Sequence, residues 1–232
     1  MHTPSVINLN TLEKTALALE EINEEVVYVG GAVVGLYVDD AGAEPPRPTT
    51  DIDITVQVST YAQMDQLRER LAGKKIYPAL SGTVMYRYSF ENIFIDFIPW
   101  EDTPLGPTNK WLKRGFEKAY PVTIGKAEIR ILPVSFFLAS KWEAFRNRGN
   151  DPRTSHDLED IIYVIDNHKN ISDEVIKSDE DVKRFLREMS DEILSHKYLN
   201  EIIECHLDPF TAGERRDIII ERLHKIRKTD SV

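Results

Sequence analysis

The sequence is poor in cysteine and in long apolar segments. Its only cysteine, Cys205, cannot form a disulfide within the chain, which excludes a disulfide-stapled fold and favours a reducing, cytoplasmic location. The longest apolar stretch, 131–139, is interrupted by Pro133 and Ser135 and is far shorter than the ~20 residues that span a bilayer. The first residues lack the pattern of a secretion signal, so we expect neither export nor a membrane partner.

Positive charge is also scarce. The chain has 29 Lys and Arg against 39 Asp and Glu, a net charge of −10, which taken alone disfavours a nucleic-acid partner. The charge is unevenly distributed, because residues 105–155 carry ten Lys and Arg against four acids, a net +6 that leaves −16 for the rest. Since the local electrostatic potential governs the binding of polyanions, the net charge does not exclude an RNA partner that contacts the face carrying this basic stretch.

The patterns that are present change character along the chain. A hydrophobic fraction of 41% with 29% charged residues is typical of a globular protein with a substantial core. Strand and helix patterns alternate up to about residue 132, and helical patterns dominate afterwards. We therefore expect an α+β fold, with a mixed β-sheet flanked by helices in a domain of residues 1–132 and a mostly helical domain of residues 133–232.

Local signals predict the main elements. They indicate a helix at 10–23 capped by Asn10 or Thr11, buried strand 25–29, alternating strand 51–58, helix 60–72 ended by Gly73 at C′, hairpins around Glu91-Asn92 and Gly125-Lys126, a helix from Pro133 closed by Gly149, and a helix capped by Ser155.

The strand at 51–58 carries the most informative motif. Asp51 and Asp53 lie two positions apart and therefore point to the same side of the strand, while Ile52 and Ile54 point to the core. Two such carboxylates can bind one or two divalent cations. The alternative is a solvated strand face without a ligand, and the motif alone leaves both interpretations open.

Two further features point toward phosphate chemistry. Gly30-Gly31 lies between a hydrophobic strand and a helix, where backbone amides can bind an anion, although a tight turn also explains the pair. Asp96 interrupts the apolar run IFIDFI, which is costly unless the carboxylate is paired or metal-bound, and it can share the polar face with Asp51 and Asp53. A glycine turn, two metal-binding carboxylates and a third carboxylate as base form a set suited to phosphoryl transfer.

These segments carry a family resemblance. YVGGAVVGLY, RPTTDID and FIDFIP resemble the signature segments of the polymerase β-type nucleotidyltransferase superfamily, and SKWEAFRNRGNDPRTSHDLEDI is similar to a stretch of the AbiEii-type abortive-infection nucleotidyltransferase toxins. The resemblance covers about residues 25–165 and implies a nucleotidyltransferase-type sheet in the first domain. Two features depart from the family: Gly31 stands where many members have serine, and the insert 38–46 is longer and more acidic.

The resemblance implies a role for each candidate residue. Asp51, Asp53 and Asp96 would coordinate two Mg²⁺ ions, and Asp96 could also accept the proton of the attacking hydroxyl. Gly30 and Gly31 would bind the triphosphate of an NTP, which Lys141 would reach as a fourth catalytic residue. Asp157 and Asp160 would lie near Lys141, so that the helical domain contributes Lys141 and Asp157 to the cleft. Arg47 and Thr49 match a small motif that supports the metal loop, with Thr49 counted among the nucleotide-binding residues.

The predicted function is Mg²⁺-dependent transfer of a nucleoside monophosphate from an NTP to an acceptor hydroxyl. The acceptor would be RNA such as a tRNA 3′ end, a protein, or a small molecule such as an antibiotic. The resemblance links this chemistry to toxin–antitoxin and phage-defence systems, and hence to a cognate antitoxin as partner. Two other hypotheses remain: a non-catalytic nucleotide-binding module that retains the fold, and a metal-dependent nuclease, which needs neither the glycine turn nor an NTP.

Overall fold

The computed structural model describes residues 6–79, 86–101 and 109–228. Its strands are β1 (Val26–Val29), β2 (Asp51–Val56), β3 (Tyr77–Pro78), β4 (Arg87–Phe90), β5 (Ile93–Pro99), β6 (Tyr120–Ile124) and β7 (Ala127–Ile131). They form one sheet in the order β3-β4-β5-β2-β1-β7-β6. β2 runs parallel to β5 and β1 runs parallel to β7, whereas the other neighbouring pairs are antiparallel.

Helices make up most of the rest of the described chain. They are α1 (Leu9–Leu19), α2 (Tyr61–Gly73), α3 (Lys110–Phe116), α4 (Val134–Arg148), α5 (His156–Asn167), α6 (Ile171–Lys177), α7 (Glu180–Leu194), α8 (Leu199–Glu204), α9 (Ala212–Arg227) and the 3₁₀ helices Glu20–Glu25 and Gly31–Tyr37. The mixed sheet with its many helices confirms the expected α+β class. None of the helices in the described ranges is both long enough and apolar enough to cross a bilayer.

The chain divides into two compact units. The sheet unit comprises the chain up to Val33 together with Arg47–Pro133, and the helical unit comprises Val34–Pro46 together with the chain from Val134 onward. The segment Val34–Pro46, which includes the whole acidic insert 38–46, is thus part of the helical unit. The expected division of the chain into functional domains at residues 132/133 stays a prediction.

One face of the sheet forms the core of the sheet unit. Ile52 and Ile54 of β2 and Ile95 and Phe97 of β5 are fully buried on this face. Helices α1 and α2 contact the sheet through β6, β7 and β3. Because side chains alternate along a strand, the residues between these four point to the opposite face, where the candidate site lies.

Two helix ends differ from the sequence prediction. The first helix starts at Leu9 and its cap is Asn8, not Asn10 or Thr11, since Asn8 Oδ1 accepts a hydrogen bond from the Thr11 amide at 2.9 Å. Gly73 is the last residue of α2 and is not its C′ residue. The left-handed position falls on Lys75 (φ 62°), because the Ile76 amide donates back to the Leu71 carbonyl at 3.0 Å.

Most other predicted boundaries are close to the observed ones. Strand 51–58 ends at Val56, and the helix expected at 10–23 gives way to a 3₁₀ helix after Leu19. Both predicted hairpins form, although residues 84 and 85 of the first lie outside the described residues. The short strand β3 and the helix α3 carried no signal that predicted them.

The helical unit is built around α4 and α5. Gly149 (φ 61°) follows α4, and Ser155 caps α5 by accepting a hydrogen bond from the Leu158 amide, as the sequence predicted. Trp142 and Phe136 of α4 are buried, and α4 contacts α5, α6 and α7. Helix α9 contacts α5, α6, α7 and α8 and so completes this core.

Candidate active site

The start of β2 positions two carboxylates. Asp51 and Asp53 project from one face of the strand, and Ile52 between them is buried on the other face. Thr49 donates a hydrogen bond from Oγ1 to Asp51 Oδ1 at 3.1 Å, which links the preceding loop to the carboxylate. The side chain of Asp51 is 31% exposed, so this face remains accessible to a ligand.

The neighbouring strand adds a third carboxylate. In the parallel pair of β2 and β5, Asp96 lies directly opposite Asp53, and adjacent strands are about 4.8 Å apart. Asp96 is buried, and the flanking Ile95 and Phe97 point into the core. The structure therefore places Asp51, Asp53 and Asp96 on the same face of two adjacent strands, the arrangement expected from the sequence.

Sequence reasoning missed an arginine that lies among these carboxylates. Arg87 of β4 donates from Nε to Asp96 Oδ1 at 2.8 Å and from Nη2 to Asp96 Oδ2 at 2.7 Å. The same Nη2 donates to Asp51 Oδ2 at 2.9 Å, and the guanidinium lies 5.4 Å from the centre of the Phe94 ring. The hydrogen bonds to Asp96, followed by the charges of Asp96, Asp51 and Asp53, raise the pKa of Arg87 above its ordinary value.

The three carboxylates provide the donor atoms that a hard divalent cation such as Mg²⁺ prefers. Nevertheless, no group of three His, Cys, Asp or Glu side chains among the described residues is arranged to hold a metal ion. Asp51 and Asp96 are instead bridged by the Arg87 guanidinium. The carboxylate oxygens are thus the kind of donor that a metal site needs. In this structure, however, the Arg87 guanidinium pairs with two of the three carboxylates, those of Asp51 and Asp96.

The glycine turn lies directly against this site. Gly30 follows β1 with φ 71°, and a Cβ added to it would lie 1.9 Å from Asp53 Oδ2. A Cβ on Gly31 would lie 2.9 Å from Arg47 Nη2 and 3.5 Å from Thr49. Gly30 is therefore required by its left-handed backbone and by the close approach of Asp53, whereas a Cβ on Gly31 would meet only the end of the flexible Arg47 side chain and make ordinary contact with Thr49. A role of their amides in binding phosphate stays a prediction.

Alanine at Gly30 should disable the site more than it destabilises the fold. The left-handed backbone costs an alanine roughly 1–2 kcal/mol, and the new methyl group must also displace the Asp53 carboxylate. Gly149→Ala is the matched control, because Gly149 has a similar φ of 61° but no atom within 4 Å of an added Cβ. We expect both variants to lose melting temperature, Gly30→Ala more than Gly149→Ala because it also displaces Asp53, but a loss of transfer activity and of metal binding in Gly30→Ala only. Equal activities in the two variants would contradict the contact with Asp53.

Lys141 lies in a buried cluster of the helical unit. Its Nζ is 2.6 Å from Asp160 Oδ2 and 3.6 Å from Asp157 Oδ1, and Asp157 also accepts a hydrogen bond from Arg148 Nη1 at 2.6 Å. The exposed fraction is 10% for the Lys141 side chain and 1% for that of Asp160. The expected buried stem and the proximity of Asp157 and Asp160 are observed. The predicted contact with a triphosphate is not tested by this geometry.

Arg87 could have been found from the sequence. The two-residue turn Glu91-Asn92 sets the hairpin register, which pairs Phe90 with Ile93 and, three steps further, Arg87 with Asp96. A basic residue directly opposite a carboxylate that interrupts an apolar strand, on the same face of the sheet, indicates an ion pair.

Comparison with known proteins identifies the fold. No protein-family model and no curated protein sequence matches the chain. The structure is similar to that of an antigenic nucleotidyltransferase-like protein from Paracoccidioides brasiliensis, with a TM-score of 0.54 and 14% sequence identity over 81% of this chain and 91% of that one. A second similarity, to the antibiotic-resistance factor ANT(2'')-Ia, has a TM-score of 0.48 and 12% identity over 81% and 93% of the two chains and is too weak for further argument. The chain thus has a nucleotidyltransferase-like fold.

Proposed function

We propose that this chain is a metal-dependent nucleotidyltransferase that transfers a nucleoside monophosphate from an NTP to an acceptor hydroxyl. The observation that carries the proposal is the presentation of Asp51, Asp53 and Asp96 on one face of two adjacent strands, with Gly30 against Asp53. A solvated strand face does not require a third, buried carboxylate opposite the other two. The nucleotidyltransferase-like fold is consistent with this chemistry.

Each residue then has a defined task. Asp51, Asp53 and Asp96 would hold the metal, which supplies stabilisation of the attacking and leaving oxygens when bound. Asp96 would accept the proton of the acceptor hydroxyl as this attacks the α-phosphorus and pyrophosphate leaves. The amides of Gly30 and Gly31 would neutralise charge that develops on the departing phosphates. The role of Lys141 toward the triphosphate is a prediction from the resemblance.

One observation favours a second candidate function. Arg87 bridges Asp51 and Asp96 and so could replace a metal permanently. A module that binds a nucleotide without catalysis would tolerate such a bridge. The two candidates differ in whether label from an NTP ever becomes covalently attached to an acceptor.

The deciding experiment follows the α-phosphate. The chain is incubated with each α-³²P-labelled NTP and Mg²⁺, together with total RNA, total protein or a panel of hydroxylated antibiotics. Label in one acceptor class supports the enzyme and identifies its acceptor, provided that no label is incorporated when EDTA is present from the start. Retention of NTP without transfer supports the non-catalytic module. Cleavage of the RNA in the absence of any NTP would indicate a nuclease instead.

The resemblance to AbiEii-type toxins adds narrower proposals. If the acceptor is RNA or protein, expression of the chain should arrest growth, and a small neighbouring gene encoding a cognate antitoxin should relieve the arrest. The Asp53→Asn variant provides the control, since it should be harmless at equal expression.

A further inference from the structure

Arg87 and its neighbours use all four carboxylate oxygens of two candidate metal ligands. Three N–H···O contacts from Arg87 engage both oxygens of Asp96 and one oxygen of Asp51. The remaining Asp51 oxygen accepts the hydrogen bond from Thr49. A metal ion that binds these two carboxylates must therefore take oxygens that already accept hydrogen bonds.

Charge explains why an arginine occupies this position. Three carboxylates on adjacent strand positions repel one another unless a positive charge lies between them. A guanidinium matches the planar carboxylate of Asp96 with two parallel hydrogen bonds and is only weakly hydrated. A guanidinium stays protonated in proteins, so Arg87 supplies a permanent positive charge between Asp51 and Asp96.

We propose that Arg87 is the resident counter-ion of the metal-free site, and that a divalent cation binds by displacing its guanidinium from Asp51 and Asp96. The inference rests on the proposed metal-dependent function. Arg87 is a positioning residue in this scheme: it holds the carboxylates in place before metal binding and weakens the apparent metal affinity. Its side chain is 28% exposed, which leaves it a route toward solvent when it is displaced.

The direct test is the affinity of the metal-free protein for Mn²⁺, measured by electron paramagnetic resonance and calorimetry. We expect Arg87→Gln and Arg87→Met to bind Mn²⁺ at least tenfold more tightly than the wild type, or about 1.4 kcal/mol. The melting temperature of both variants without metal should be lower than that of the wild type, and saturating Mn²⁺ should recover most of the difference.

Arg70→Gln is a matched control. Arg70 also makes a two-point ion pair in the sheet unit, donating to Glu25 at 2.7 and 2.9 Å. It lies on α2, whereas the three carboxylates lie on β2 and β5. This variant should lose some stability and keep the wild-type affinity for Mn²⁺. If Arg87 had only a structural role, the Arg87 variants would likewise lose some stability and bind Mn²⁺ with the affinity of the wild type.

The wild-type protein offers an independent measurement. In a ¹³C,¹⁵N-labelled sample of the wild type, the Arg87 Nε–H signal is assigned by through-bond correlation with the backbone of the same residue. Titration with Mg²⁺ should shift this signal and accelerate its exchange with water, because the hydrogen bond to Asp96 is broken. This measurement decides the question even if the variants fail to fold.

The outcomes separate the inference from the proposed function. Unchanged or weaker Mn²⁺ binding by the Arg87 variants, or an unperturbed Nε–H signal at saturating Mg²⁺, overturns the counter-ion role. If wild-type binding is then still lost in Asp53→Asn, the proposed function stands without it. If neither the wild type nor any variant binds Mn²⁺, both proposals are wrong.

Discussion

Asparagine in place of Asp53 should abolish nucleotidyl transfer and leave the fold intact. Asp53 lies between Val29 of β1 and Asp96 of β5 and touches Gly30, so an isosteric amide fits the same space. The substitution removes a negative charge from the centre of the carboxylate group and replaces an oxygen ligand with an NH₂ group, which cannot bind Mg²⁺. We expect a loss of at least about 1,000-fold in kcat/KM, corresponding to ~4 kcal/mol of transition-state stabilisation.

The measurement is incorporation of α-labelled NMP by each variant, together with its affinity for Mn²⁺. Asp65→Asn is the matched control, because Asp65 is exposed on α2 and pairs with Arg68 at 2.9 Å. It should retain wild-type activity. The melting temperature of Asp53→Asn without metal should equal or exceed that of the wild type, since repulsion between carboxylates is reduced. Wild-type transfer by Asp53→Asn would contradict the assignment of the site.

The carboxylate face was predictable because strand periodicity is a local property. Strict alternation over 51–58 places Asp51 and Asp53 on one side, whatever surrounds the strand. Asp96 was predictable from the cost of an isolated charge in an apolar run. Its partner Arg87 required the register of a hairpin in addition, which depends on the length of the turn and not on composition.

Features that depend on contacts between distant segments were less predictable. The side-by-side parallel arrangement of β2 and β5 results from sheet topology, which no local pattern encodes. The segment Val34–Pro46 is joined to the helical unit by long-range hydrogen bonds, such as that from the Tyr163 hydroxyl to the Glu44 carbonyl at 2.7 Å. The sequence predicts a phosphate-binding turn at Gly30, but no local pattern indicates that the missing side chain makes room for Asp53.

Methionine in place of Lys141 should strongly destabilise the helical unit. The ammonium of Lys141 contacts Asp160 and Asp157, both of which are buried. Without it, Asp160 loses its ammonium partner in an environment with little water. Removing one member of a buried ion pair costs roughly 3–5 kcal/mol, which corresponds to a decrease of about 10 °C in the melting temperature of a chain of this size. Thermal unfolding followed by circular dichroism measures this.

The double variant Lys141→Met/Asp160→Asn separates stability from nucleotide binding. It removes both charges of the pair, while Asp157 keeps its hydrogen bond from Arg148, so more than half of the lost melting temperature should return. If Lys141 binds the triphosphate, the KM for the NTP stays raised in this double variant although its stability has recovered. Recovery of both quantities would limit Lys141 to a structural role. Lys225→Met, which removes an exposed ion pair with Glu221 on α9, should change neither quantity, because exposed ion pairs contribute little to stability.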